Sequence, residues 1–147
     1  MSRYVDNNLI SNETVVYRGR TTWWSAFWPI VFALILLPFT FGFSLLFVVP
    51  SVIRILTTEI AITNKRIIVK SGLISRDVVE LSVAKVEALN VKQSVWARIL
   101  RFGTIIVYGA GNQQGKAVGI ANALEFRRRF YDTQDSQEKT VGKLLLG

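Results

Sequence analysis

Five basic residues, Arg54, Lys65, Arg66, Lys70 and Arg76, fall in one stretch of chain that holds a single acid, Glu59. Lysines and arginines grouped in this way can face anionic lipid headgroups, each contributing about 1 kcal/mol near a charged surface. Ordinary positive flanking of an apolar segment would give the same cluster without a specific ligand. Spacing sorts the group in part. Arg66 and Lys70 are an even number of residues apart on an expected strand and share a face, whereas Lys65 points the other way unless it sits in a turn. Arg66 is also a candidate for an ion pair with Glu80 or Glu87.

Other chemistry is sparse. The chain has no histidine and no cysteine. The commonest general base, the commonest metal ligand and any thiolate site are therefore missing. "GAGNQQG" (109–115) has the glycines of a phosphate cradle, but no Lys-Ser/Thr follows and the dinucleotide spacing is absent. It reads as a hairpin turn. "RRR" (127–129) reads as a solvated helix face. Glu80, Glu87 and Glu125 lack the spacing of a catalytic pair or a metal site. The expectation is a protein that is not an enzyme and carries neither cofactor nor metal. Its net charge of +8 favours anionic lipid as a partner over nucleic acid.

The elements that must position these cations begin with an apolar run. Thr21 to Ile53 contains no charged residue over 33 positions, between Arg20 and Arg54. A bilayer core needs about 20 apolar residues in a helix, and 33 residues of straight helix would measure roughly 50 Å. Pro38 resists a continuous helix at the centre, and Gly42 follows it. A turn at Pro38 and Gly42 gives two arms of about 15 residues, short for a roughly 30 Å core. Trp23, Trp24 and Trp28 read as an interfacial belt. Arg18, Arg20, Arg54, Lys65 and Arg66 flank the run, and the turn has no charge. The positive-inside rule then puts both ends on the cytoplasmic side. The expectation is a transmembrane helical hairpin over 23–56 in the plasma (inner) membrane, with a polar segment, 1–22, before it.

The texture changes after Arg54. "EIAIT" (59–63), "RIIVKSG" (66–72), "DVVELSV" (77–83) and "VEALNV" (86–91) are short, rich in β-branched residues and bounded by turns, as antiparallel strands are. "GTIIVYGAG" (103–111) and "KAVGIAN" (116–122) extend the series. "SVWARILRF" (94–102) predicts a short helix capped by Ser94, in which Val95, Ile99 and Phe102 recur at helical spacing and Phe102 ends inside the core. "ALEFRRRFYDTQD" (123–135) predicts a helix capped by Asn122, with Ala123, Phe126 and Phe130 on one face. A polar tail, 136–147, follows. The pattern is a small barrel over 57–135, closed by the last helix.

Thr63 and Arg66, Gly72 and Leu73, Val86 and Glu87, Gln93 and Ser94, and Gly103–Ile105 form a set that resembles the bacterial pleckstrin-homology (PH) membrane proteins of the YdbS-like group. "NETVVYRGRTTWW" resembles the segment that precedes the family's hydrophobic hairpin. "IANALEF" departs from the family by lacking a proline near the helix start. The resemblance implies a PH-like fold of two near-orthogonal sheets closed by a helix. It implies little about activity. The functional expectation is a membrane-anchored interaction module that binds anionic lipid or a protein partner. The alternative is a self-assembling structural membrane protein, a homo-oligomer without a specific ligand.

Overall fold

Short β-branched runs separated by tight turns build most of the fold. The computed structural model describes residues 3–39, 43, 45–72 and 77–147. Among them are seven strands: β1 (Val15–Gly19), β2 (Glu59–Thr63), β3 (Arg66–Ser71), β4 (Asp77–Ser82), β5 (Val86–Lys92), β6 (Phe102–Gly109) and β7 (Gln114–Ala121). They form two antiparallel sheets, one in the order β1-β2-β3-β4 and one in the order β5-β6-β7. β1 was not expected as a strand. Its partner is β2, with Gly19 opposite Ile60.

Strand alternation fixes the core. Ile60 pairs with Val69 and Ile62 with Ile67, and Ile67 pairs in turn with Leu81. These side chains meet Leu89, Ile105, Val107 and Ile120 of the second sheet in one buried cluster. Ala61 and Ile68, a cross-strand pair, lie on the opposite face and are buried as well. A short helix, α1 (Arg3–Asn7), covers them with Val5. Burial on both faces explains why "IAI" and "IIV" are apolar without a break.

A long C-terminal helix, α5 (Ala123–Leu146), closes the barrel. Ala123, Phe126 and Phe130 recur at helical spacing and are fully or almost fully buried. The Phe126 ring meets Tyr17 edge-on at 5.7 Å. Gln134 Nε2 donates to the carbonyls of Val83 and Val86. Asn122 does not cap this helix with its side chain. It holds a left-handed backbone (φ 51°), and its carbonyl accepts from Phe126 N. The helix continues as far as Leu146, through the segment 136–147 that was read as a polar tail.

The apolar run corrects the expectation most. It contains a 3-10 turn (Trp23–Ala26), helix α2 (Phe27–Leu36) and helix α3 (Leu45–Thr57). At 1.5 Å per residue the two helices measure roughly 15 and 20 Å, against a hydrocarbon core of roughly 30 Å. Among the described residues no helix is long and apolar enough to cross a membrane. The transmembrane hairpin over 23–56 is therefore withdrawn, and with it the assignment as a multi-pass inner-membrane protein with cytoplasmic ends. The physical reason is that freedom from charge is not continuity of helix. A 3-10 turn occupies the start of the run, and Pro38 lies in a turn at its centre, after which α3 begins afresh. Gly42 lies outside the described residues.

The two sheets are joined where the chain leaves β1. Thr21 bridges Ile120, Ala121 N donates to Arg20 O, and Thr22 N donates to Gly119 O, each bond 2.7 Å long. Gly119 has φ 73°, and a Cβ there would fall 2.5 Å from Ser25 Oγ. Only glycine fits both the backbone and the close approach. Thr21 Oγ1 also donates to Ile55 O, which ties α3 to this seam.

The short helix α4 (Val95–Ile99) is capped as expected: Ser94 Oγ accepts from Ala97 N. The placement of Phe102 inside the core at the end of this helix is another correction. Ala97 is the buried residue, while Val95 and Ile99 are exposed. Phe102 opens β6 and is only half-buried. Phe126→Ala should therefore cost about 3–5 kcal/mol, as removal of a buried aromatic does, and Phe102→Ala clearly less. Equal losses in chemical denaturation would contradict this placement of the core.

Candidate functional site

The cations of the basic stretch divide into two groups. Lys65, Arg66 and Lys70 are drawn into fastening the N-terminal segment. Arg66 lies between Glu13 and Glu80 and pairs with both. Its guanidinium also donates to Asn8 O at 2.6 Å. Lys65 Nζ donates to Ser11 O, and Lys70 Nζ sits 4.7 Å from the centre of the Tyr4 ring, a cation–π contact. Glu80 was an expected partner of Arg66; Glu13, from before β1, was not. Arg76 lies outside the described residues.

The Glu13 side chain is fully buried. Burial alone would raise its pKa. Hydrogen bonds from the Thr63 hydroxyl, Ile10 N and Arg66, with the Arg66 charge, outweigh burial and hold it below the ordinary value. Glu59 shows the opposite balance. Burial raises its pKa, against the pull of Lys70 and Arg18, and its buried Oε1 has no hydrogen-bond partner among the described residues.

Arg54 is placed differently. The last turns of α3 face the ends of β3 and β7 across an open groove of about 520 Å³. Val49, Pro50, Ile53 and Val118 give it apolar walls, and Thr57, Thr58 and Ser71 bring hydroxyls. Two exposed cations, Arg54 and Lys116, line it. Neither forms a salt bridge among the described residues. Lys116 also borders an adjoining groove that contains Asp77, so the positive field is local. Thr58, Ser71 and Lys116 were missed in the sequence. The packing of β7 against β3 brings Lys116 to Arg54, and no local pattern announces it.

Beside this groove α2, its preceding turn and α3 expose a broad apolar surface. Trp23, Trp24, Trp28, Phe32, Leu34, Ile35, Leu46 and Val49 are all exposed. Of the three tryptophans expected as interface anchors, Trp24 and Trp28 both contact Phe27, and Trp23 is exposed. Cations, hydroxyls and an apolar flank suit the binding of a phosphate attached to an apolar body. Among the described residues no group of three or more His, Cys, Asp or Glu could hold a metal ion.

Two sheets of four and three strands closed by a C-terminal helix agree with the family comparison, in which a model described as bacterial PH domain matches residues 13–134. The chain belongs to this family. No curated protein and no solved structure matches it. PH domains are typically non-catalytic interaction modules and commonly bind lipids or proteins. In this PH domain the excursion between β1 and β2 carries α2 and α3, and the groove lies where that excursion returns to the sheet.

Two pH effects follow. Glu13 binds its proton more weakly in the folded state than in the unfolded one. Its contribution to stability is present above the ordinary glutamate range and is lost as pH falls through its lowered pKa. Urea midpoints should fall over that acid range, and Glu13→Gln should start lower at neutral pH and show a flatter acid limb. Glu59 has the reverse sign: its ionised form costs stability in the folded state. Glu59→Gln should be more stable than wild type at neutral pH, and the gain should vanish once pH is below the ordinary range. A destabilised Glu59→Gln protein at neutral pH would contradict this account.

Proposed function

We propose that this PH domain is a non-catalytic interaction module that docks on an anionic lipid surface. In this reading a headgroup phosphate enters the groove between α3 and the barrel, and Arg54 and Lys116 neutralise it. The Ser71 hydroxyl donates to one of its oxygens, while the Thr57 hydroxyl is already donated to Ile53 O. The exposed faces of α2 and α3 lie against the surface without crossing it, as interfacial helices do. The observation that carries the reading is a groove in which two cations, without a salt bridge among the described residues, lie beside helices that expose tryptophans and other apolar side chains. Lys65, Arg66 and Lys70 have a different role here, because their charges already serve the N-terminal segment.

Co-flotation of the full chain with vesicles tests this. Binding to phosphatidylcholine vesicles should be weak, and phosphatidylglycerol should strengthen it. At about 1 kcal/mol per cation, Arg54→Ala and Lys116→Ala should each weaken binding about fivefold. Added salt should weaken it further, because exposed charges are screened within about 10 Å. Equal binding to neutral and anionic vesicles would sink the reading. A discrete homo-oligomer that ignores both would favour self-assembly through the same apolar surface.

A further inference from the structure

Helix α4 is an anomaly in packing. Of its five residues only Ala97 is buried, while Val95, Trp96 and Ile99 are 73%, 55% and 66% exposed. A polar turn would connect β5 to β6 equally well, so three large apolar side chains in water need another reason. Their position supplies one. Trp96 meets Trp28 edge-on, with ring centroids 5.7 Å apart. The exposed apolar side chains of α2 therefore meet those of α4 at this ring pair, although the two helices are far apart in sequence. Exposed cations surround α4: Lys92 before it, Arg98 within it and Arg101 after it. None of the three forms a salt bridge among the described residues.

From this geometry we infer that α4 is a second lipid-contacting element, which inserts Val95, Trp96 and Ile99 into the surface that α2 meets. The inference rests on the reading of the domain as a lipid-docking module, and it adds an orientation. With α2 and α4 both down, the barrel lies on its α4 edge and cannot swing about the helical pair. Charge complementarity favours lipid over a second copy of the chain. Tryptophan flanked by lysine and arginine suits the boundary between headgroups and acyl chains, whereas the centre of a protein interface is depleted of lysine. Insertion at such a boundary reaches about 5–10 Å, within the span of one helical turn and its side chains.

The chain has four tryptophans, so the full-length variant Trp23→Phe, Trp24→Phe, Trp28→Phe reports on Trp96 alone. With vesicles of phosphatidylcholine and phosphatidylglycerol, Trp96 emission should shift to the blue. Lipids brominated on the acyl chains should quench it, and aqueous iodide should lose access. On the wild-type background, Val95→Ser with Ile99→Ser changes exposed positions only and should weaken vesicle binding several-fold with no change in denaturation midpoint. Arg98→Ala should weaken it about fivefold. If the vesicles bind wild type but bromolipid leaves Trp96 unquenched and the serine pair changes nothing, the inference is overturned while the lipid-docking reading stands. If wild type binds no vesicle, both fall. Iodide protection of Trp96 without lipid, accompanied by a dimer, would assign the surface to a second copy and also overturn the inference.

Discussion

The ion pair between the buried Glu13 and the half-buried Arg66 is the contact on which the remaining geometry depends. Glu13 stands two residues before β1, and Arg66 opens β3. Their bond, with Thr63 Oγ1 donating to the same carboxylate, fixes how the chain enters the first sheet. From there β1 can run only along β2, and its exit at Gly19 delivers Thr21 to Ile120 on the other sheet. The seam in turn sets α3 through Ile55 and brings Arg54 into the groove with Lys116. Removal of Arg66 would leave the buried Glu13 carboxylate without its counter-charge, a loss of the kind that typically costs about 3–5 kcal/mol. The pair stabilises by position as much as by energy, because a well-packed apolar substitute could match its energy but not its direction.

The same pair explains what could be read in the sequence and what could not. The strands from β2 to β7 announce themselves by β-branched runs and turns, and Phe126 and Phe130 announce the face of α5. These are local signals. The fate of a cation is a tertiary matter. Arg66 and Arg54 look alike in sequence, yet one lies between two carboxylates and the other faces solvent beside a groove. α1 was invisible because five residues carry no usable period; its only trace is the unbroken apolar character of "IAI" and "IIV". The apolar run misled for a different reason. Its length was read as the length of a path through a bilayer, when a 3-10 turn and the Pro38 region divide it into helices that are each too short. The exposed face of α4 escaped because helical spacing shows which residues share a side and not whether that side faces in or out.

A division of labour emerges within one small barrel. The two sheets and α5 bury the side chains that hold the fold, while α2, α3 and α4 present theirs outward. Cations follow a similar division: those near α1 and β3 are spent on internal contacts, and those near α3, β7 and α4 form no salt bridge among the described residues. A protein of net charge +8 thus uses part of its charge internally, and some of the remainder, Arg54, Lys116, Lys92, Arg98 and Arg101, lies on or beside α3, β7 and α4.

Gly19 and Ile60 face each other across the β1–β2 pair, so the excursion that contains α2 and α3 departs and returns at points about one strand spacing apart, some 4.8 Å. A loop whose ends are already adjacent makes little demand on the frame that holds it. Doubling the length of a flexible loop costs only about 0.6 kcal/mol in closure entropy. Provided that Thr21, Thr22 and Ile55 keep their places at the seam, the segment between them is open to insertion, shortening or exchange at small thermodynamic expense. The barrel is in this sense a socket: evolution, or an engineer, can alter what it displays without redesigning what holds it together.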